Sequence, residues 1–108
     1  MDNGSARILD RLYETIAARK GGDPEKSYTA KLFARGRNKI AQKMGEEAVE
    51  TLVAGLTESR ERLASESADL LYHLLVFWAD CGLTPAEVWA ELAARQGVSG
   101  VDEKKARK

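Results

Sequence analysis

Two short runs place acidic side chains where they could share a cation. Glu46, Glu47 and Glu50 form an EExxE run, and Glu66 and Asp69 an ExxD run. On a helix, residues three apart are neighbours on one face. If the two runs lie on antiparallel helices, the fifteen residues between Glu50 and Glu66 suffice to climb, turn and come back level. Glu47, Glu50, Glu66 and Asp69 would then converge. Two carboxylates about 4 Å apart repel by about 4 kcal/mol at an effective dielectric of about 20. Four together need a cation, and oxygen-only ligation selects Mg²⁺ or Mn²⁺ over zinc or copper.

The surroundings of the second run sharpen this. From Leu70 to Ala79 the sequence reads LLYHLLVFWA, apolar nearly all the way round a helix. Arg62, Glu66, Asp69, His73 and Asp80 fall within about 60° of one another at about 100° per residue. A stripe of charge on a buried helix must be paired or must hold a metal. His73 reads as a hydrogen-bonded histidine or as a residue behind the metal ligands. Tyr72, Phe77, Trp78 and Trp89 read as packing.

Upstream, residues 31–43 carry five cations and no acid, whereas residues 46–69 carry seven acids and two bases. Alone, the first stretch would read as a solvated basic face. Running directly into a carboxylate cluster, it suits a polyphosphate–metal substrate, because a divalent ion bridges phosphate to carboxylate while Lys and Arg neutralise the rest.

These groups need rigid elements. The pattern predicts a helix over residues 5–20, capped by Ser5, with Ile8, Leu9, Leu12, Tyr13 and Ile16 on one face. A polar turn follows around Pro24, then a short helix from Thr29 to Arg35 stopped by Gly36. A long helix runs from about Arg37 to Leu56, a turn covers Thr57 to Ser59, and a second long helix ends at Cys81 before Gly82. Thr84-Pro85-Ala86-Glu87 reads as a capping box opening a last helix to about Gln96. The first long helix carries Ile40, Met44, Ala48, Val49, Leu52, Val53 and Leu56 over an arc of roughly 220°, so it should be covered on two sides. Gly45 inside it costs about 1 kcal/mol, which a close approach by another helix or by substrate would explain. The expected fold is all-α: an antiparallel long-helix hairpin with short flanking helices. Such a thin monomer would form a four-helix-bundle-type core by homodimerisation, as a homodimer or within a higher homo-oligomer. Residues 1–96 make the single domain and 97–108 a polar, charged tail.

Composition bounds the partners. The chain has 108 residues with 17 Lys plus Arg, 17 Asp plus Glu and no formal net charge, which removes a bulk-charge case for nucleic acid or anionic membrane. No apolar run reaches the roughly 18 residues of a membrane span, and the opening MDNGSARILDRLYE does not read as a secretory leader. The single cysteine, Cys81, reads as a buried thiol in a reducing compartment, so a cytoplasmic protein is expected.

The residues also carry a resemblance. KMGEEAVE (residues 43–50) followed by ESADLLYHLLV (66–76) resembles the EExxE…ExxD signature of the MazG-like all-α nucleoside triphosphate pyrophosphohydrolases. SYTAKLF (27–33), the stretch from Gly36 to Lys39 and Ile40, and DLLYHLLV resemble the phosphoribosyl-ATP pyrophosphohydrolase family within it. The tail SGVDEKKAR (99–107) also resembles that family's usual ending. The resemblance implies Mg²⁺-dependent hydrolysis of the α–β phosphoanhydride of 1-(5-phosphoribosyl)-ATP, in the stand-alone form of the enzyme. It implies that Glu47, Glu50, Glu66 and Asp69 hold the metal, that Glu46 and Glu47 serve catalysis, Glu46 by orienting water or completing the metal shell. Lys31, Arg35, Lys39 and Lys43 are the candidate phosphate contacts, with Ser27 and Thr29 as supporting donors. A house-cleaning enzyme acting on (d)NTPs is the alternative with the same metal site.

Overall fold

The computed structural model describes residues 4–97. The expected ending at residues 99–107 therefore lies outside the described residues. Within them the chain is all-helical: α1 (Arg7–Ala18), α2 (Tyr28–Arg35), α3 (Arg37–Thr57), α4 (Arg60–Cys81) and α5 (Pro85–Arg95). The two longest helices, α3 and α4, pack on each other most extensively and form the expected hairpin. Among the described residues no helix is long and apolar enough to cross a membrane.

Local chemistry sets the boundaries. Ser27 and Ser59 sit in extended backbone ahead of α2 and α4, and their hydroxyls accept the N–H groups of Ala30 and Arg62, each at 3.1 Å. Gly36, at φ +94°, allows the sharp change of direction between α2 and α3. Gly82 takes the left-handed conformation after α4, where its N–H and that of Leu83 close on the carbonyls of Ala79 and Trp78. Glu87 Oε2 accepts from the Thr84 N–H at 3.0 Å and the Thr84 hydroxyl at 3.1 Å, fixing the start of α5. The first helix departs from expectation. It starts at Arg7, and Ser5 receives the Arg7 N–H at 3.2 Å instead of capping a helix at its own position.

The core lies at one end of the hairpin. Ile16 of α1, Leu32 and Phe33 of α2, Ile40 near the start of α3, and Leu75, Val76 and Ala79 near the end of α4 pack together. Leu9, Leu12, Tyr13, Tyr72, Phe77 and Trp78 pack against this cluster. The Trp89 ring meets Trp78 edge-on at 6.0 Å, its Nε1 donates to Asp10 at 2.9 Å, and Tyr13 donates to the Leu83 carbonyl at 2.9 Å. These contacts hold α5 and α1 to α4.

Two expectations change. Cys81 is exposed, because it is the last residue of α4, where the chain leaves the core. Asp80 does not join the carboxylates; Arg37 takes it at 2.9 Å and also donates to its backbone carbonyl. The expected cover of α3 on two sides is met on one side by the described residues of this chain. Among the described residues, Val49, Leu52, Val53 and Leu56 remain exposed, and none lies within 4 Å of a Cβ built on Gly45.

Candidate metal centre

The hairpin brings the two acidic runs together. α3 presents Glu47 and α4 presents Glu66 and Asp69, with one oxygen from each lying within 4.8 Å of the others. A hard cation binds oxygen at roughly 2.0–2.6 Å, so one ion can reach oxygens up to about twice that distance apart. Glu50 stands beside Glu66, one turn along α3 from Glu47, outside that triad.

The electrostatics of the cluster are those of a site short of positive charge. Glu66 is 6% exposed, and its carboxyl is pushed above the usual glutamate range. Desolvation is the largest cause, followed by the hydrogen bond and charge of Glu50; Arg62 opposes the shift and Asp69 adds to it. Glu47 Oε2 is buried and has no hydrogen-bond partner among the described residues. A buried carboxylate oxygen without a partner is unfavourable by the desolvation of a charged group. The residues therefore fit a divalent cation: the donors are all oxygen, they converge, and one buried oxygen lacks a partner among the described residues.

Side chains around the triad fix its geometry. Arg62, one turn before Glu66, reaches Glu66 Oε2 at 2.9 Å and Glu58 Oε1 at 3.2 Å. Thr51 lies between the helices, its hydroxyl 2.8 Å from the Glu47 carbonyl and 3.0 Å from the Glu66 carbonyl. His73 is buried, with Nδ1 2.8 Å from the Asp69 carbonyl. A carbonyl only accepts, so Nδ1 carries the proton. Its Nε2 is buried without a hydrogen-bond partner among the described residues, and the rings of Tyr72 and Tyr28 meet the imidazole edge-on.

The other expected residues distribute unevenly. Glu46 is exposed and turned aside; it accepts from Gln42 at 2.9 Å and pairs with Lys43 at 3.4 Å. That Gln42 hydrogen bond is the main reason its carboxyl lies below the usual range. Counting about 100° per residue puts Lys39 and Lys43 on the same flank of α3 as Glu46, Glu47 and Glu50. Lys31 and Arg35 are exposed on α2, outside the carboxylate cluster. Ser27 accepts a hydrogen bond as the cap of α2, and Thr29 hydrogen-bonds the Tyr72 hydroxyl. Sequence reading missed Thr51 and assigned Arg62 no partner. A polar β-branched residue in a helix interior, one turn after a proposed ligand, was the available signal for Thr51.

Comparison with known proteins bears on the family resemblance. The model of the phosphoribosyl-ATP pyrophosphohydrolase family matches residues 9–96. The phosphoribosyl-ATP pyrophosphatase of Paramagnetospirillum magneticum is 71% identical over 102 residues, covering 94% of each chain. That of Azospirillum brasilense is 64% identical over 107 residues, 99% of this chain and 96% of the relative. That of Rhodospirillum rubrum is 64% identical over 101 residues, 94% and 86% respectively. The convergent carboxylates thus sit in a chain similar along nearly its whole length to these enzymes, and the chain belongs to the phosphoribosyl-ATP pyrophosphohydrolase family.

Proposed function

We propose that the protein hydrolyses the α–β phosphoanhydride of 1-(5-phosphoribosyl)-ATP, releasing phosphoribosyl-AMP and pyrophosphate, the second step of histidine biosynthesis. The observation that carries this is the triad of Glu47, Glu66 and Asp69, one member of which, Glu47, has a buried oxygen with no hydrogen-bond partner among the described residues. The shared name of the relatives supports the choice of substrate.

In this reading Glu47, Glu50, Glu66 and Asp69 hold Mg²⁺, with Mn²⁺ as a substitute. The bound ion supplies Lewis-acid polarisation of the phosphates and neutralises charge on the leaving group. The chain's own contribution is positioning and charge. Lys39 and Lys43 lead along α3 to the carboxylates and take the phosphate oxygens, with Lys31 and Arg35 approaching from α2. Glu46, held here by Gln42 and Lys43, would have to swing from them toward Glu47 to accept a hydrogen bond from the attacking water or to complete the metal shell. The water's oxygen bonds to one of the two phosphorus atoms, the bond from that phosphorus to the α–β bridging oxygen breaks, the bridging oxygen leaves with the other phosphoryl group, and the surplus proton of the water passes to solvent. Such transfer depends on orientation and electrostatic stabilisation, with no covalent nucleophile required. His73 braces the Asp69 turn from behind through Nδ1.

We further propose a cytoplasmic homodimer acting on this small nucleotide, with no nucleic-acid or membrane partner. Gly45, Val49, Leu52 and Leu56 align on the side of α3 opposite Glu47, Thr51 and Ala54, at about 100° per residue. Pairing this bare stripe with its copy around a two-fold axis completes a four-helix bundle.

The test is a steady-state assay of wild type, Glu50→Gln and Asp69→Asn with phosphoribosyl-ATP and Mg²⁺, run beside a panel of dNTPs. Turnover of phosphoribosyl-ATP well above the dNTPs, lost in both variants, is the expected result. Faster dNTP hydrolysis would move the protein to the house-cleaning class.

A further inference from the structure

Thr51 has a placement that the carboxylates alone do not explain. It lies in the interior of α3, four residues after Glu47 and fifteen before Glu66. Its hydroxyl oxygen is 2.8 Å from the carbonyl of Glu47 in its own helix and 3.0 Å from the carbonyl of Glu66 in the other. Those are the backbone groups of two members of the carboxylate triad, one from each helix. Each carbonyl has a second lone pair beyond its helical bond, so the hydroxyl adds a bond without breaking one. With a single hydrogen to share, Thr51 joins the two main chains at the level of the triad.

We infer that Thr51 is a positioning residue: its hydroxyl fixes the spacing and register of α3 against α4 where Glu47 and Glu66 must meet one ion. This rests on the metal-dependent reading proposed above. The physical need is plain. Ionised carboxylates on facing helices repel, and that repulsion acts to spread the helices before metal arrives. The triad reaches a common ion only if its oxygens stay within about two metal–oxygen bond lengths. A hydrogen bond attached to the backbones beneath two of the ligands resists that spreading. Side-chain contacts farther along the hairpin cannot do so at this level, because helix ends can splay about a distant pivot.

Thr57 supplies an internal control. Its hydroxyl makes the same back-bond within α3, to Val53 at 2.8 Å, with no bond across to α4. The experiment is a Mn²⁺ titration of the metal-free chain, free Mn²⁺ being read by electron paramagnetic resonance. It compares wild type, Thr51→Val, Thr51→Ser and Thr57→Val, with thermal melting alongside. The expected result is Mn²⁺ binding about tenfold weaker in Thr51→Val, the lower end of the range for groups supporting metal ligands. Thr51→Ser and Thr57→Val should bind as wild type does. The pair Thr51→Ser against Thr51→Ala repeats the comparison without valine's added methyl, should Thr51→Val not fold. Equal affinity in Thr51→Val and wild type, or an equal loss in Thr57→Val, overturns the inference and leaves the metal site standing. Wild type taking up no Mn²⁺ overturns the metal reading itself.

Discussion

Arg62 Nη2 lies 2.9 Å from Glu66 Oε2, on the same face of α4 and one turn apart. The guanidinium is half-exposed and also holds Glu58, whereas Glu66 is buried. This pair sets the metal-free state of the centre, because Arg62 is what opposes the combined push of burial, Glu50 and Asp69 on the Glu66 carboxyl. Arg62→Gln removes that opposition. Its melting temperature should fall in chelator, and the deficit should shrink in saturating Mg²⁺, where the ion supplies the missing charge. An equal deficit under both conditions would make Arg62 a merely local helix contact.

The direction of the Glu66 shift gives a pH dependence. Its carboxyl binds its proton more tightly in the folded chain than in the unfolded one. Below the unfolded value both states are protonated and nothing is lost. As pH rises from there through the folded value, the folded state holds more protons, so stability falls. Melting in chelator should therefore decline from mildly acidic toward neutral pH through this group, and Glu66→Gln should flatten the decline. Metal requires the deprotonated form, so the increment from Mg²⁺ should grow over the same interval. Melting scans with and without Mg²⁺ across that range check both signs.

Function and stability should separate at the ligands. Glu47→Gln and Asp69→Asn each remove a negative oxygen from a crowded, partly buried cluster. In metal-free buffer neither should lower the melting temperature, and Glu47→Gln also gives the buried position a group that can donate a hydrogen bond. In the assay with phosphoribosyl-ATP, kcat/KM should drop by at least about a hundredfold, since metal stabilisation of transition-state charge amounts to several kcal/mol. A variant that loses activity and stability together, with Mg²⁺ absent, would point to a structural role.

The elements were largely legible because short-range chemistry specifies them. Ser27, Ser59 and the Thr84–Glu87 pair mark helix starts, and Gly36 and Gly82 mark stops. Convergence of Glu47 with Glu66 and Asp69 followed from helix period and hairpin length, both read from spacing. What spacing does not carry is which atom meets which across an interface. The Thr51 bridge depends on the register of α3 against α4 to within an ångström or so. The capture of Asp80 by Arg37 depends on where α3 begins beside the end of α4. Cys81 shows another limit: a lone cysteine without a disulfide partner does not say whether anything covers it. Glu46 shows the same at the site, since one residue's rotation from Glu47 carries it to Gln42 and Lys43.

That limit bears most on the bare stripe of α3. Val49 is 61% exposed, Leu52 60% and Leu56 77%, on a helix whose other side is spent on α4. A contiguous apolar strip of this kind marks an interaction surface, and a strip on one straight helix can match its own copy about a two-fold axis. Light scattering should give twice the 11.9 kDa chain mass. Leu52→Glu, which sets a like charge against its copy at the centre of the strip, should shift the protein toward monomer. Because the strip faces away from Glu47 and Thr51 on α3, that monomer should still take up Mn²⁺. A dimer that persists in both Leu52→Glu and Leu56→Glu would place the interface elsewhere. A monomer that no longer binds Mn²⁺ would mean the partner helps hold the triad in place.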